Sequence, residues 1–219
     1  MMRSGENRDF ARAGTSMTYA LRHVAAAFAW LRVVAHRFTR RVDHYHEDPG
    51  MIAPYPYRQW SDISRTDRFV CIQPMSGYRN VQQEDDGYAI YLPPDADEEA
   101  LGRALFDCLD RSRFLEPPGH REFFNWERYV PLYKNWQKDF MHRYGYKTKR
   151  EAYKNMDWCR AMRMEGKISF EPHKRDKPEY FIDLPPERTV VIPATTDPIA
   201  VGAALRQGLD RCEPRGEED

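Results

Sequence analysis

The chain has 219 residues and a mass of 26.0 kDa, with 34 basic and 34 acidic residues and no net formal charge. Balanced charge excludes a polyanion mimic and a generic nucleic-acid binder. A 13% aromatic content still demands a core despite a mean hydropathy of −0.82. The length suits a single domain.

Residues 1–54 read as a basic extension, helical or partly disordered. No acid occurs between Asp9 and Asp43, whereas Arg12, Arg22, Arg32, Arg37, Arg40 and Arg41 fall in that span. Leu21, Val24, Ala25, Phe28, Leu31 and Val34 would share one helical face. That fits a transit-like or interfacial helix, a docking helix, or an upstream extension with translation starting at Met51. Its longest uncharged run, His23 to Leu31, is far short of the ~20 residues of a membrane span, so no membrane partner is expected. Asp43, His44, His46, Glu47 and Asp48 carry metal-donor atoms but lack distant ligands at a recognised spacing; no metal or other cofactor is expected.

The globular part is assigned to residues 55–219. Phe69 to Ile72 reads as a strand. From Arg79 to Arg103 no base intervenes, while Glu84, Asp85, Asp86, Asp95, Asp97, Glu98 and Glu99 are acidic. An acidic strip steers a basic partner, so Glu84, Asp85, Asp86, Asp95, Glu98 and Glu99, with Tyr78 and Tyr88 as aromatic anchors, form the candidate binding surface. Two plainer readings compete: Asp97 to Glu99 as a helix cap and first turn, and Glu84 to Asp86 as a hairpin tip.

Tyr91 to Arg111 and Val191 to Arg211 align without a gap at an offset of one hundred. Pro93, Asp97, Ala100, Gly102, Ala104, Leu105, Leu109, Asp110 and Arg111 recur in the second copy. Chance would give about one or two such identities, so the segment is duplicated, in units of about 87–112 and 188–212. Each copy reads as a strand (Tyr88 to Leu92, Thr189 to Ile192) stopped by proline, then a helix capped by Asp97 or Asp197, with Pro198 at a first helical position. Mid-helix Gly102 and Gly202 each cost roughly 1 kcal/mol by propensity, so their recurrence implies close packing of each helix on a sheet or on its twin.

Between the copies, Phe123 to Tyr144 spaces its aromatic residues as one broad helical face, with a break or start expected near Tyr129 because of Pro131. Thr148 to Met156 reads as a short helix. Trp158 to Met164 and Lys167 to Phe170 read as a hairpin turning at Glu165-Gly166. Residues 143–175 are rich in bases, including Arg143, Lys147, Arg150, Arg160 and Arg163, interleaved with Tyr144, Tyr146, Tyr153 and Trp158. An RNA-binding module built on that segment is the alternative function; a solvated basic face with buried rings is the plainer reading. His120, His142 and His173 accompany no nucleophile motif, and no phosphate-cradling glycine loop occurs, so the chain is read as non-enzymatic. Cys71, Cys108, Cys159 and Cys212 form no C-x-x-C pair and are read as reduced thiols of a cytoplasmic protein.

Arg143-Tyr-Gly-Tyr-Lys-Thr-Lys-Arg150, followed by Lys154-Asn155-Met156 and Cys159, resembles the central signature of a family of contact-dependent growth inhibition immunity proteins (CdiI type). Leu101 to Phe114 and Val201 to Cys212 resemble its two repeat helices. The resemblance spans roughly Phe69 to Cys212; it omits the first fifty residues, and Glu171 to Tyr180 keeps Pro172 and His173 without a tryptophan. It implies a cytoplasmic inhibitor that binds the C-terminal toxin domain of a neighbour's delivery protein, commonly a nuclease, and occludes its active site without turnover. The oligomeric state and the toxin's identity stay open. The fold expected is a single α+β domain: a mixed β-sheet with flanking helices, built on the duplicated strand–helix unit.

Overall fold

A computed structural model describes residues 55–117, 119–177 and 179–214. The expectations for residues 1–54, including the basic helix, the Met51 start and the donor cluster at His44 and His46, lie outside the described residues.

The duplication seen as strand plus helix is the visible end of a larger one. The first half contains β1 (Arg58–Arg65), β2 (Val70–Gly77), β3 (Val81–Gln83), β4 (Ile90–Leu92) and α1 (Glu98–Arg111). After an insertion of α2 (Gly119–Phe123), α3 (Trp126–Arg143) and α4 (Lys149–Tyr153), the pattern repeats. The second half contains β5 (Asp157–Met164), β6 (Lys167–Lys177), β7 (Tyr180–Asp183), β8 (Val190–Pro193) and α5 (Pro198–Asp210). The sheet order is β3-β2-β1-β5-β6-β7, with β4 also on β2 and β8 also on β6. In each half the long second strand therefore carries two short strands end to end on its outer edge. The halves meet at the antiparallel β1–β5 ladder, where Asp62 faces Arg160.

The expected mixed sheet is antiparallel in every ladder, with parallel pairing confined to isolated bridges at Gly77–Phe114 and Lys174–Glu213. Hairpin connections explain the β1–β2, β2–β3, β5–β6 and β6–β7 ladders, because parallel neighbours need a long crossover; β1–β5, β2–β4 and β6–β8 join strands that are not consecutive. The turn at Glu165-Gly166 has both residues at positive φ, 48° and 72°, the geometry of a two-residue hairpin loop.

One sheet face is covered by α1 and α5. Asp97 caps α1 through Ala100 N–H at 2.8 Å, and Asp197 caps α5 through Ile199 N–H at 3.0 Å, with Pro198 opening the helix as expected. Their apolar stripes, Leu101, Leu105 and Leu109 against Val201, Leu205 and Leu209, close over Ile63, Ile72, Ile168 and Phe170. Burying each such side chain contributes about 1.5–3 kcal/mol. The two helices cross through their glycines, so the close-packing partner is the twin helix.

The opposite face takes the inserted helices. Trp136 and Phe140 of α3 and Tyr153 of α4 pack on Phe69 and Cys71 at the start of β2. The break or start expected near Tyr129 is a start at Trp126, three residues earlier: α3 runs unbroken from an Asn125 cap, with Pro131 exposed in its second turn. The proline forgoes one backbone hydrogen bond, and the Tyr129, Tyr133, Trp136 and Phe140 ring series along the helix holds it together. The expected Thr148 to Met156 helix contracts to α4, capped by Thr148.

Candidate partner-binding surface

The acidic strip is the loop between β3 and β4, at the sheet edge, together with the first turn of α1. Gly87, at φ +63°, donates its N–H to the Glu84 carbonyl at 3.2 Å, and Asp86 Oδ1 accepts from Tyr88 N–H at 2.9 Å. Those two bonds fold the tip so that Asp85 and Asp86 are exposed.

Arginines from elsewhere return to most of the strip's carboxylates. Glu84 takes a two-pronged bond from Arg113 at 2.8 and 2.7 Å. Burial is the largest single influence and opposes the Glu84 carboxylate's charge, but the hydrogen bonds from Arg113 and Ser76 and the charges of Arg113 and Arg128 together outweigh it and hold its pKa below the ordinary glutamate value. Arg128 of α3 reaches Asp85 at 2.5 Å and the Gln83 carbonyl at 2.9 Å. Arg206 of α5 pairs with Glu98 at 3.2 Å, and Arg103 pairs with Glu99 one turn away. Asp86 and Asp95 keep exposed carboxylates. Tyr88 is half-buried, donates its hydroxyl to Asp107 and lies under Arg111, 3.8 Å from the ring centre. Tyr78 is 5% exposed, packed between Tyr55 and Phe114 at 5.1 and 5.4 Å at the β2–β3 turn, so it presents no ring to a partner and lies apart from the acidic loop. The structure thus gathers Glu84, Asp85, Asp86 and Tyr88 at one edge, beside the first turns of α3, with Glu98 and Glu99 on the helix-covered side. Exposed surface pairs of this kind contribute about 0–1 kcal/mol each to stability.

The basic segment does not present its rings. Tyr146 and Tyr153 are buried, Tyr144 stacks on Phe69 at 4.6 Å, and Trp158 packs on Phe181 at 4.9 Å. Arg143 pairs with Asp139 at 3.3 Å, Arg163 bonds Gln59 at 2.8 Å as well as Asp110, and Arg160 grips Asp62 at 2.7 and 3.0 Å. A surface for single-stranded nucleic acid needs accessible rings between free cations, and these rings are spent on the core.

The four cysteines form no disulfide; Cys71, Cys108 and Cys159 are buried. Burial pushes the Cys71 thiol up to about 12, and hydrogen bonding from its neighbours only partly opposes this, so it is no nucleophile. His173 lies 3.1 Å from Asp183; burial raises the pKa of the Cys212 thiol near its backbone to about 11, which leaves that thiol protonated at neutral pH. Among the described residues, no three His, Cys, Asp or Glu side chains converge as metal ligands, and no helix is long and apolar enough to cross a membrane.

A second feature escaped sequence reading. The register places Gln73 (β2), Asp62 (β1), Arg160 (β5) and Glu171 (β6) in one polar row across the face opposite α1 and α5. Tyr129 of α3 stands against its centre: burial first, and then the charge of Asp62, push the Tyr129 hydroxyl up to about 12. Nothing in the local pattern of β1 announces the row, because Ser61, Asp62 and Ser64 are all buried polar residues.

The CDI immunity protein family (CdiI) matches residues 59–212. Immunity protein CdiI-YPIII from Yersinia pseudotuberculosis serotype O:3 (strain YPIII) is 29% identical over 168 residues, covering 70% of this chain and 95% of that protein. A chain of the CdiA-CT/CdiI toxin and immunity complex from Yersinia pseudotuberculosis superposes with a TM-score of 0.67 at 29% identity, over 72% of this chain and 98% of that one. A protein of unknown function from Neisseria meningitidis, NMB0488, superposes with a TM-score of 0.68 at 26% identity, over 74% of this chain and 100% of that one. Family match and fold agree with the string at Arg143–Arg150 and with the paired repeat helices: this chain belongs to the CDI immunity protein family.

Proposed function

We propose that this chain is a stoichiometric inhibitor that binds the toxin domain encoded beside it and covers the toxin's active site, in the cytoplasm and without turnover. The observation that carries the reading is the 98% coverage of a chain from a solved toxin and immunity complex, joined to the family match over residues 59–212. The edge formed by Glu84, Asp85, Asp86 and Tyr88 suits a basic partner such as a nuclease, with Asp95, Glu98 and Glu99 extending the acidic field. Tyr78, buried at the β2–β3 turn, would contribute only by holding that turn in shape. Because Arg113 and Arg128 already answer Glu84 and Asp85, the strip's role is steering and register more than raw affinity.

The test is titration of the purified toxin domain with the full chain, following toxin activity. Inhibition that is complete at one equivalent supports the reading. Toxin activity unchanged at several equivalents, with no complex by size-exclusion chromatography, overturns it.

A further inference from the structure

The two halves of the sheet face opposite α1 and α5 are dressed unequally. Trp60, Asp62, Gln73 and Met75 of β1 and β2 are buried, whereas Arg160, Met162, Ser169 and Glu171 of β5 and β6, on the same face, are only half-buried. Tyr129 of α3 stands near Asp62 and Arg160 at the border of this more open half, with Trp126, 57% exposed, 5.9 Å from it along the helix and Tyr133 6.0 Å on the other side.

Charge on this face is incompletely matched. The guanidinium of Arg160 is committed to Asp62 by two hydrogen bonds. Among the described residues no hydrogen bond or ion pair reaches the Glu171 carboxylate. Burial raises the pKa of Glu171, Arg160 and His173 offset this only partly, and Asp183 and Asp62 add to it. The same face carries buried polar atoms without a hydrogen-bond partner, among them Ser169 Oγ and His173 Nδ1 on the strand of Glu171 and, on β2, Gln73 Nε2 on a side chain 8% exposed. A half-buried carboxylate with no hydrogen-bond partner, on the same strand as the unpartnered Ser169 Oγ, is poorly served by the isolated chain and well served by a donor from outside.

We propose that the β5–β6 face, bordered by Tyr129, continues the toxin-docking surface across α3, and that Glu171 receives a lysine or arginine side chain of the toxin domain. The proposal rests on the immunity reading. Continuity supports it: Arg128 joins α3 to the acidic edge at Asp85, and the next residue, Tyr129, overhangs the polar row. Chemistry selects a cation, because an apolar contact would strip water from Glu171 and return nothing, and an anion would repel it.

The experiment measures affinity of the purified toxin domain for the full chain and for the variants Glu171→Gln, Glu171→Lys and Trp126→Ala. Expected are losses of about tenfold for Glu171→Gln and about a hundredfold or more for Glu171→Lys, with the larger part in the dissociation rate. Thermal melts keep folding separate, since Glu171→Gln removes a poorly solvated charge and should melt no lower than the parent. Unchanged toxin affinity in both Glu171 variants overturns the proposal while leaving the immunity reading intact. A parent chain that does not bind the toxin overturns the immunity reading, and this proposal with it. A change in self-association with toxin affinity unaltered would assign the face to a second copy of the chain and likewise overturn the proposal.

Discussion

Gly102 and Gly202 each face the first turn of the other's helix. A Cβ on Gly102 would lie 1.9 Å from the Pro198 carbonyl oxygen, and a Cβ on Gly202 would lie 1.8 Å from the Glu98 carbonyl oxygen. The duplicated glycines are thus one reciprocal contact, and it lets α1 and α5 close over a shared core. Neither neighbour is a flexible side-chain tip, so no rotamer change relieves the clash.

Alanine at either glycine gains roughly 1 kcal/mol in helix propensity and forces the helices apart. Overpacking costs about 1–3 kcal/mol and sometimes more. The backbone clash puts the cost at the upper end, so Gly102→Ala and Gly202→Ala should each lower stability by about 2 kcal/mol net, with the double variant less than additive because one contact is lost only once. Urea unfolding measures this; a variant more stable than the parent would show that the helices do not touch there.

The centre of the sheet makes a second prediction. Asp62 has 6% of its side chain exposed and is held by Arg160, whose side chain is 32% exposed. Removing one partner of a buried pair costs about 3–5 kcal/mol, and partial exposure of Arg160 brings the expectation to the lower end of that range. Arg160→Met should therefore destabilise by about 2–3 kcal/mol, and Asp62→Asn combined with it should recover part of the loss. A double-mutant cycle in guanidinium chloride reads the coupling; strict additivity would mean the pair contributes nothing of its own.

Glu171 yields a pH dependence of defined sign. Burial raises its folded pKa above the unfolded value, so the folded state holds the proton more tightly. The resulting penalty is absent below the unfolded pKa, grows as pH rises, and is complete above the folded pKa. Glu171→Gln should be more stable than the parent at pH 7.5, and the difference should vanish near pH 4. Paired melts at the two pH values test this; an advantage that grows on acidification would reverse the assignment. Comparison with the variant also isolates Glu171 from Glu84, whose lowered pKa stabilises the fold above its unfolded pKa and loses that contribution on acidification.

The sequence made some parts of this molecule legible and hid others for identifiable reasons. The helices α1 and α5 could be read because Asp97, Asp197, Pro198 and the leucine stripes are local signals, and the recurrence of glycine pointed to their contact. Strand β1 could not be read. Its polar residues look like a loop, and their partners come from far along the chain: Ser61 Oγ donates to the Gln73 carbonyl, Ser112 Oγ accepts from Trp60 N–H, and Arg160 meets Asp62. With β1 unseen, the full repeat of four strands and a helix was reduced to its last strand and helix. The acidic strip was visible as a run of charge, but Arg113, Arg128 and Arg206, which answer it, lie outside the run. Pro131 pointed to a break or start near Tyr129, and α3 starts three residues earlier at Trp126, because the Asn125 cap and the packed rings along the helix carry it past the proline.

The measurement that tests the central claim most directly is co-expression of this chain with the toxin C-terminal domain encoded immediately upstream of its gene, in cells that the toxin alone arrests. Restored growth together with a one-to-one complex on purification is the predicted result. Continued arrest at matched expression, with no complex recovered, would contradict the account.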